Sequence, residues 1–172
     1  MSGPKELFET LIAADPDFQP RYQEFLSDWQ GQEIPWYLAM GELAHYIVEA
    51  YEQGKTHQYQ DLFSAIELVL PSADSGLQNL ICVGLFEDTQ NIASHRSFGA
   101  SVFRSWLGPR SLIAWDEVDR GMQQVAAWAS EQGRDGDSFG ERAGLDAESA
   151  LAQVENPELR RIIEQIYRKK GP

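Results

Sequence analysis

Apolar residues recur along this chain at intervals of three and four, while strand-like alternation is almost absent, a pattern that predicts an all-α protein. The first helix is predicted over 4–13, with Leu7, Phe8 and Leu11 on one side and Asp15-Pro16 as its stop. A second, over 18–30, places Phe18, Tyr22, Phe25 and Trp29 at helical spacing before Gly31 through Pro35 break the chain. Residues 36–53 form the clearest amphipathic helix. Trp36, Met40, Leu43, Ile47 and Tyr51 make one stripe, Glu42, His45, Glu49 and Glu52 the other, and Gly54 closes the element. Over 58–70, Leu62, Phe63, Ile66, Val69 and Leu70 face inward and Asp61, Ser64 and Glu67 outward, until Pro71 ends the run. Residues 75–94 are apolar nearly all round from Leu77 to Phe86, the mark of a central helix covered by neighbours. A short helix at 99–106 leads to a Leu107-Gly108-Pro109 corner. A long helix over 110–130 then buries Trp115, Val118, Met122, Val125 and Ala129.

The pattern changes at residue 131. The run EQGRDGDSFGERAGL over 131–145 carries four glycines and little apolar content, and reads as a linker. Its Asp135-to-Asp146 spacing partly matches an EF-hand calcium loop. Phe139 stands at a ligand position there and Asp146 replaces the usual glutamate, so the linker reading is the better fit. Over 146–172, Asp146 and Asn156-Pro157-Glu158 give helix-start signals. The last helix sets Leu159, Ile162, Ile163 and Ile166 against Arg160, Arg161, Arg168, Lys169 and Lys170, cations that complement a helix C-terminus. The expected organisation is a 1–130 all-helical core, a 131–145 linker and a 146–172 helical extension. Within the core, the helices of 36–94 resemble pairs in a helical-repeat array, although no repeat of fixed length is visible. The expected architecture is therefore a compact stack of antiparallel helices.

Composition sharpens this picture in one respect. The chain has 172 residues, 42% of them hydrophobic and 11% aromatic, enough for an ordinary core. Its formal charge is −13, and residues 1–130 hold 18 acidic against 7 basic side chains. The negative field thus belongs to a folded surface, which repels nucleic acid and anionic membranes and steers basic proteins toward it. No apolar run approaches a membrane span and no signal-peptide pattern opens the chain, so the cytoplasm is the expected compartment. Cys82 is the single cysteine, which excludes an intrachain disulfide and a thiolate zinc cluster. Between Ile81 and Val83 it is expected as a buried, unreactive thiol.

Candidate chemistry is sparse. Glu42-Leu-Ala-His45 is an E-x-x-H unit, but the two-metal carboxylate sites that use this unit need a second copy, and none exists here. Glu87, Asn91 and His95 fall at i, i+4 and i+8, and with Gln90 they form a polar cluster on the most buried helix. Such a cluster is either a small site, with Glu87 as general base and His95 as its partner, or a hydrogen-bond network tying down the helix end. No phosphate loop, nucleophile elbow or zinc spacing is present, and no cofactor or metal is expected. Trp36, after Pro35, is either an aromatic anchor at the surface or a packing residue at the helix entry.

Four stretches together resemble an uncharacterised family of small bacterial all-helical proteins: Ile34-Pro-Trp-Tyr-Leu-Ala-Met-Gly-Glu-Leu-Ala-His45, Phe63-Ser-Ala-Ile-Glu67, Gly84-Leu-Phe-Glu-Asp-Thr-Gln-Asn-Ile-Ala-Ser-His95 and Trp106-Leu-Gly-Pro-Arg-Ser-Leu-Ile-Ala-Trp115. The resemblance spans about 8–120. It implies a helical fold with no assigned activity, and some similar small proteins serve as immunity partners of bacterial toxins. It also singles out Glu42, His45, Glu67, Glu87, Gln90, Asn91 and His95 as the polar positions of the pattern.

The expectation is a cytoplasmic, non-catalytic binding protein, an immunity protein that occludes a basic toxin domain. Its expected contacts are Glu33, Trp36, Glu42, Glu49, Glu52, Asp61 and Glu67. The alternatives are a hydrolase or metal-dependent enzyme built on Glu42, His45, Glu87 and His95, and a helical scaffold or adaptor.

Overall fold

The computed structural model describes residues 3–131, with side chains through residue 124; the greater part of the 131–145 linker and the whole 146–172 segment lie outside the described residues. The chain divides into two units, Met1–Met122 and Gln123–Pro172. Every regular element among the described residues is helical, as the periodicity predicts.

Helix α1, Pro4–Ala14, starts with proline in its first turn and buries Leu7, Phe8 and Leu11. It ends where Asp15 N donates to Leu11 O at 2.9 Å and Pro16 opens a 3₁₀ turn. Helix α2, Gln19–Asp28, buries Tyr22 alone. Aromatic contacts fix it instead: Tyr22 stacks on Phe8 at 4.8 Å and lies 6.1 Å from Phe18, whose ring meets Tyr46 at 5.3 Å. Such pairs contribute about 0.5–1.5 kcal/mol each beyond the area they bury.

Helix α3, Trp36–Glu52, buries Ala39, Met40, Leu43, Ala44, Ile47, Val48 and Ala50. That is wider than one amphipathic stripe, because helices cover it on more than one side: α2, and the long helix that follows below. Gly54, at φ +70°, ends it in a Schellman motif, with Lys55 N donating to Ala50 O at 2.8 Å and Gly54 N to Tyr51 O at 3.0 Å. Helix α4, Tyr59–Val69, turns Tyr59, Leu62, Phe63, Ile66 and Val69 inward and packs on α1.

The predicted 75–94 helix is continuous but not uniform. Helix α5, Ser75–Ile81, is capped by Asp74 Oδ1, which accepts from Leu77 N at 2.8 Å. The backbone then widens into a π-helical segment, Cys82–Glu87, before helix α6, Asp88–Ser94. Gly84 lies in that segment. A Cβ there would stand 3.1 Å from Met40 Cβ and 3.2 Å from Met40 Cγ, so glycine is what lets this helix approach α3 so closely.

A 3₁₀ segment, Ala100–Trp106, starts after Gly99 at φ +67° and packs on α4 and α6. It carries Phe103 into an aromatic group with Tyr51, Tyr59, Phe98, Trp106 and Trp115, at centroid distances of 4.7–6.5 Å. Helix α7, Pro109–Glu131, follows. Trp115 is buried as predicted, while Val118 and Met122 are half-buried; the side chains of Val125 and Ala129, also expected inside, lie outside the described residues.

Two glycines in these helices should respond in opposite ways to the same substitution. Gly84→Ala overpacks the Met40 contact and is expected to destabilise by about 1–3 kcal/mol. At Gly121 a Cβ meets nothing within 4 Å, and Gly121→Ala is expected to stabilise by about 0.5–1 kcal/mol through helix propensity. Urea denaturation of the two variants checks both signs.

Candidate functional site

Three arginines of the described residues are paired with carboxylates from other elements. Arg21, on α2, donates from Nε to Glu42 Oε2 and from one terminal nitrogen to Glu49 Oε2, both at 2.8 Å, across two turns of α3. Burial works against the Arg21 charge, but the two carboxylates outweigh it and raise its pKa further. Arg96 pairs with Glu52 at 2.9 Å, and Arg104 grips both oxygens of Asp116. Glu42, Glu49 and Glu52, expected as partner contacts, thus each have an intramolecular partner.

Glu67, another expected contact, caps α7. Its Oε1 accepts from Arg110 N at 3.1 Å, and its Oε2 accepts from Ser111 N at 2.8 Å and Ser111 Oγ at 2.7 Å. The carboxylate therefore lies on the first free N–H groups of the helix, where the macrodipole favours negative charge. Burial opposes its ionisation, yet the bonds from Ser111 and Arg110 prevail and hold its pKa below 4.5. Gly108 makes room for it, since a Cβ there would stand 2.5–2.6 Å from Glu67 Cδ, Cγ and Oε2.

The remaining expected contacts are Glu33 and Asp61, both exposed, and Trp36, half-buried with its ring 5.8 Å from Phe8. For Trp36 the packing role at the helix entry is the one the structure displays.

The polar cluster of the central helix is dispersed. Gln90 is buried and donates from Nε2 to Trp115 O at 2.9 Å, tying α6 to α7, while its Oε1 and the Thr89 hydroxyl are buried without a protein partner. Asn91 and His95 are exposed, and Glu87 is half-buried beside Asp88. His45 is exposed on α3, where its charge acts on Asp88 and lowers that pKa; burial first and Glu87 second push it up, and they prevail. Gly41 accommodates the Asp88 carboxylate, whose Oδ2 would stand 3.2 Å from a Cβ there. No hydrogen bond joins any two of Glu42, His45, Glu87 and His95, and no three His, Cys, Asp or Glu among the described residues form a metal-binding group.

Two features escaped the sequence reading. Asp15 is 1% exposed, and Tyr46 Oη donates to its Oδ1 at 3.0 Å. Burial pushes its pKa above 3.8, and the bonds from Tyr46 and from the backbone of Asp17 only partly offset this. Its position before Pro16 marks a helix stop, and nothing in that local pattern reports the Tyr46 partner 31 residues away. The second feature is a groove of about 530 Å³ between α2 and α3, lined by Pro20, Arg21, Glu24, Phe25, Asp28 and Glu42. Glu24 and Asp28 are exposed and stand i, i+4 on α2, with no ion pair among the described residues, and Phe25 between them is half-buried. The spacing of Arg21, Glu24, Phe25 and Asp28 on one helix face was readable; that this face opens on Glu42 was not.

Among the described residues, no helix is long and apolar enough to cross a membrane. The sequence profile of a domain of unknown function, DUF7674, matches residues 8–123, and the chain belongs to that family. The matched span contains all four motifs that carry the resemblance noted above. No curated protein and no solved structure matches the chain.

Glu67→Gln should destabilise by about 1–2 kcal/mol at neutral pH, because it removes charge from the α7 N-terminus. The lowered folded-state pKa makes this contribution present above 4.5 and lost as pH falls through the folded value, so the gap from wild type should narrow in acid. Asp15 has the opposite sign. Its raised pKa favours the folded state below 3.8 and withdraws that support as pH rises through the folded value. Denaturation midpoints of wild type and Asp15→Asn should accordingly converge or cross between acid and neutral pH, with wild type gaining on the variant toward acid.

Proposed function

We propose that this DUF7674 member is an acidic, non-catalytic cytoplasmic protein that binds a basic protein partner, and that it acts as a bacterial immunity protein blocking a toxin domain. The observation that carries this reading is the distribution of charge. Residues 1–130 hold 18 acidic and 7 basic side chains, and three of those cations, Arg21, Arg96 and Arg104, are neutralised by bridges within the fold. Carboxylates such as Glu24, Asp28 and Asp61 are left facing solvent without an ion pair among the described residues. A surface of this kind repels polyanions and accelerates association with cationic proteins. Blockade then needs only steric cover of the partner's working surface, for which a rigid helical body suffices. The internal bonds of Glu42, Glu49, Glu52 and Glu67 move the expected contact region away from the α3 stripe, toward α2 and the start of α4.

The test is capture of a stoichiometric partner from the native host, followed by kinetics with the purified pair. A basic partner is expected, with an association rate that falls about tenfold or more between low and high salt, and co-expression of this chain should relieve the growth arrest the partner causes. A neutral or acidic partner, or an association rate insensitive to salt, would sink the electrostatic reading. Unrelieved growth arrest would sink the immunity role.

A further inference from the structure

We propose that the corner between α1 and α2 is a proton-operated latch, closed over the uncharged side chain of Asp15 and opening more often once that side chain ionises. The device is local, and it goes beyond the proposed binding role without depending on it. Asp15 ends α1 and ties the chain in both directions: its N–H donates to Leu11 O at 2.9 Å, and its carbonyl accepts from Phe18 N at 3.3 Å. Its side chain ties the same corner to the rest of the fold. At 1% exposure it meets Tyr46 of α3, whose Oη donates to Oδ1 at 3.0 Å, and its charge acts on Tyr59 of α4, itself wholly buried. Asp17, in the 3₁₀ turn after α1, and His57, in the turn before α4, are the other charged groups acting on it.

The donors around Asp15 suit an acid better than an anion. A carboxylate has about four acceptor positions, and here it meets hydrogen bonds from Tyr46 and from the backbone of Asp17. Of the charges acting on it, Asp17 opposes ionisation, and His57 favours it only when protonated, with its Nε2 3.6 Å from Asp17 Oδ2. Burial outweighs the favourable contacts and pushes the Asp15 pKa above 3.8. Tyr46 remains a donor throughout, because burial and the Asp15 charge push its own pKa far up. Opening the corner returns Asp15 to water, where it ionises near 3.8. Closure is therefore most favoured below 3.8, weakens as pH rises through the folded value, and levels off above it. Two contacts bound the motion. Phe18, fully buried with its ring 5.3 Å from Tyr46, resists opening, and Arg21, held by Glu42 and Glu49, anchors α2 from the next residues onward. Residues 15–20 are the part left to move.

Amide hydrogen exchange of the full chain from about pH 3.5 to about pH 7.5, corrected for intrinsic rates, tests the latch. Opening read at Phe18 and in the first turn of α2 is expected to rise about threefold or more over that range and then level off. Leu43 and Ala93, buried in α3 and α6, should not follow that rise. Asp15→Asn keeps an acceptor for Tyr46 but cannot ionise, so it should remove the rise. Asp17→Asn changes the local charge equally and leaves the Asp15–Tyr46 bond in place, so most of the rise should survive. Tyr46→Phe removes the donor and leaves the acid, so the rise should grow, and this variant decides the matter if Asp15→Asn does not fold. Circular dichroism establishes which variants are folded. A flat profile in wild type would overturn the latch, as would a rise that persists in Asp15→Asn, disappears in Asp17→Asn or is no larger in Tyr46→Phe. An identical rise at Leu43 and Ala93 would overturn it too, because the opening would then be that of the whole fold.

Discussion

The close contact between α3 and the helix spanning Ser75–Ser94 is the constraint on which the rest of this fold depends. Gly84 against Met40 brings the two helices together, and α3 answers with buried small residues, Ala39, Ala44 and Ala50, among its larger apolar ones. A helix covered on several sides has little perimeter left for charge. Its polar positions, Glu42, His45, Glu49 and Glu52, are confined to a narrow stripe, which fixes where carboxylates emerge from the body. The π-helical segment Cys82–Glu87 contains Gly84 and so coincides with the point of approach.

From that stripe follows the electrostatic character of the protein. Acidic side chains outnumber basic ones heavily, and the bridges made by Arg21, Arg96 and Arg104 each link different elements. Exposed pairs of this kind contribute little to stability. Their larger effect is on which carboxylates remain available. Glu67 shows the same logic with a helix terminus in place of a cation: the positive end of α7 takes up a charge that α4 would otherwise present to solvent. Asp15 is the reverse case, an acid under Tyr46 that the surroundings hold toward its neutral form.

Several parts of this arrangement were legible along the chain. The starts and stops of α1, α3, α4 and α7 follow from Pro4, Asp15-Pro16, Gly54, Pro71 and Pro109, because proline and glycine restrict the backbone locally, whatever packs against it. The core positions Leu43, Ile47, Phe63, Ile66 and Trp115 follow from spacing alone. The candidate site was legible only in fragments. Arg21, Glu24 and Asp28 share a face of α2 by their spacing, but whether Arg21 is neutralised depends on carboxylates 21 and 28 positions further along the chain, on α3.

What the sequence determined by itself was therefore the class of fold, the approximate places of its helices and the sign of its field, all of which depend on properties summed over neighbouring residues. Tertiary structure alone decided which charges are neutralised inside and which face outward. Glu42 and Glu67 read alike as exposed helix carboxylates, yet one holds Arg21 and the other caps α7 across 44 residues of chain. Helical periodicity specifies the direction a side chain takes from its own axis. The group it meets is set by how separate helices pack, and no local pattern encodes that distance.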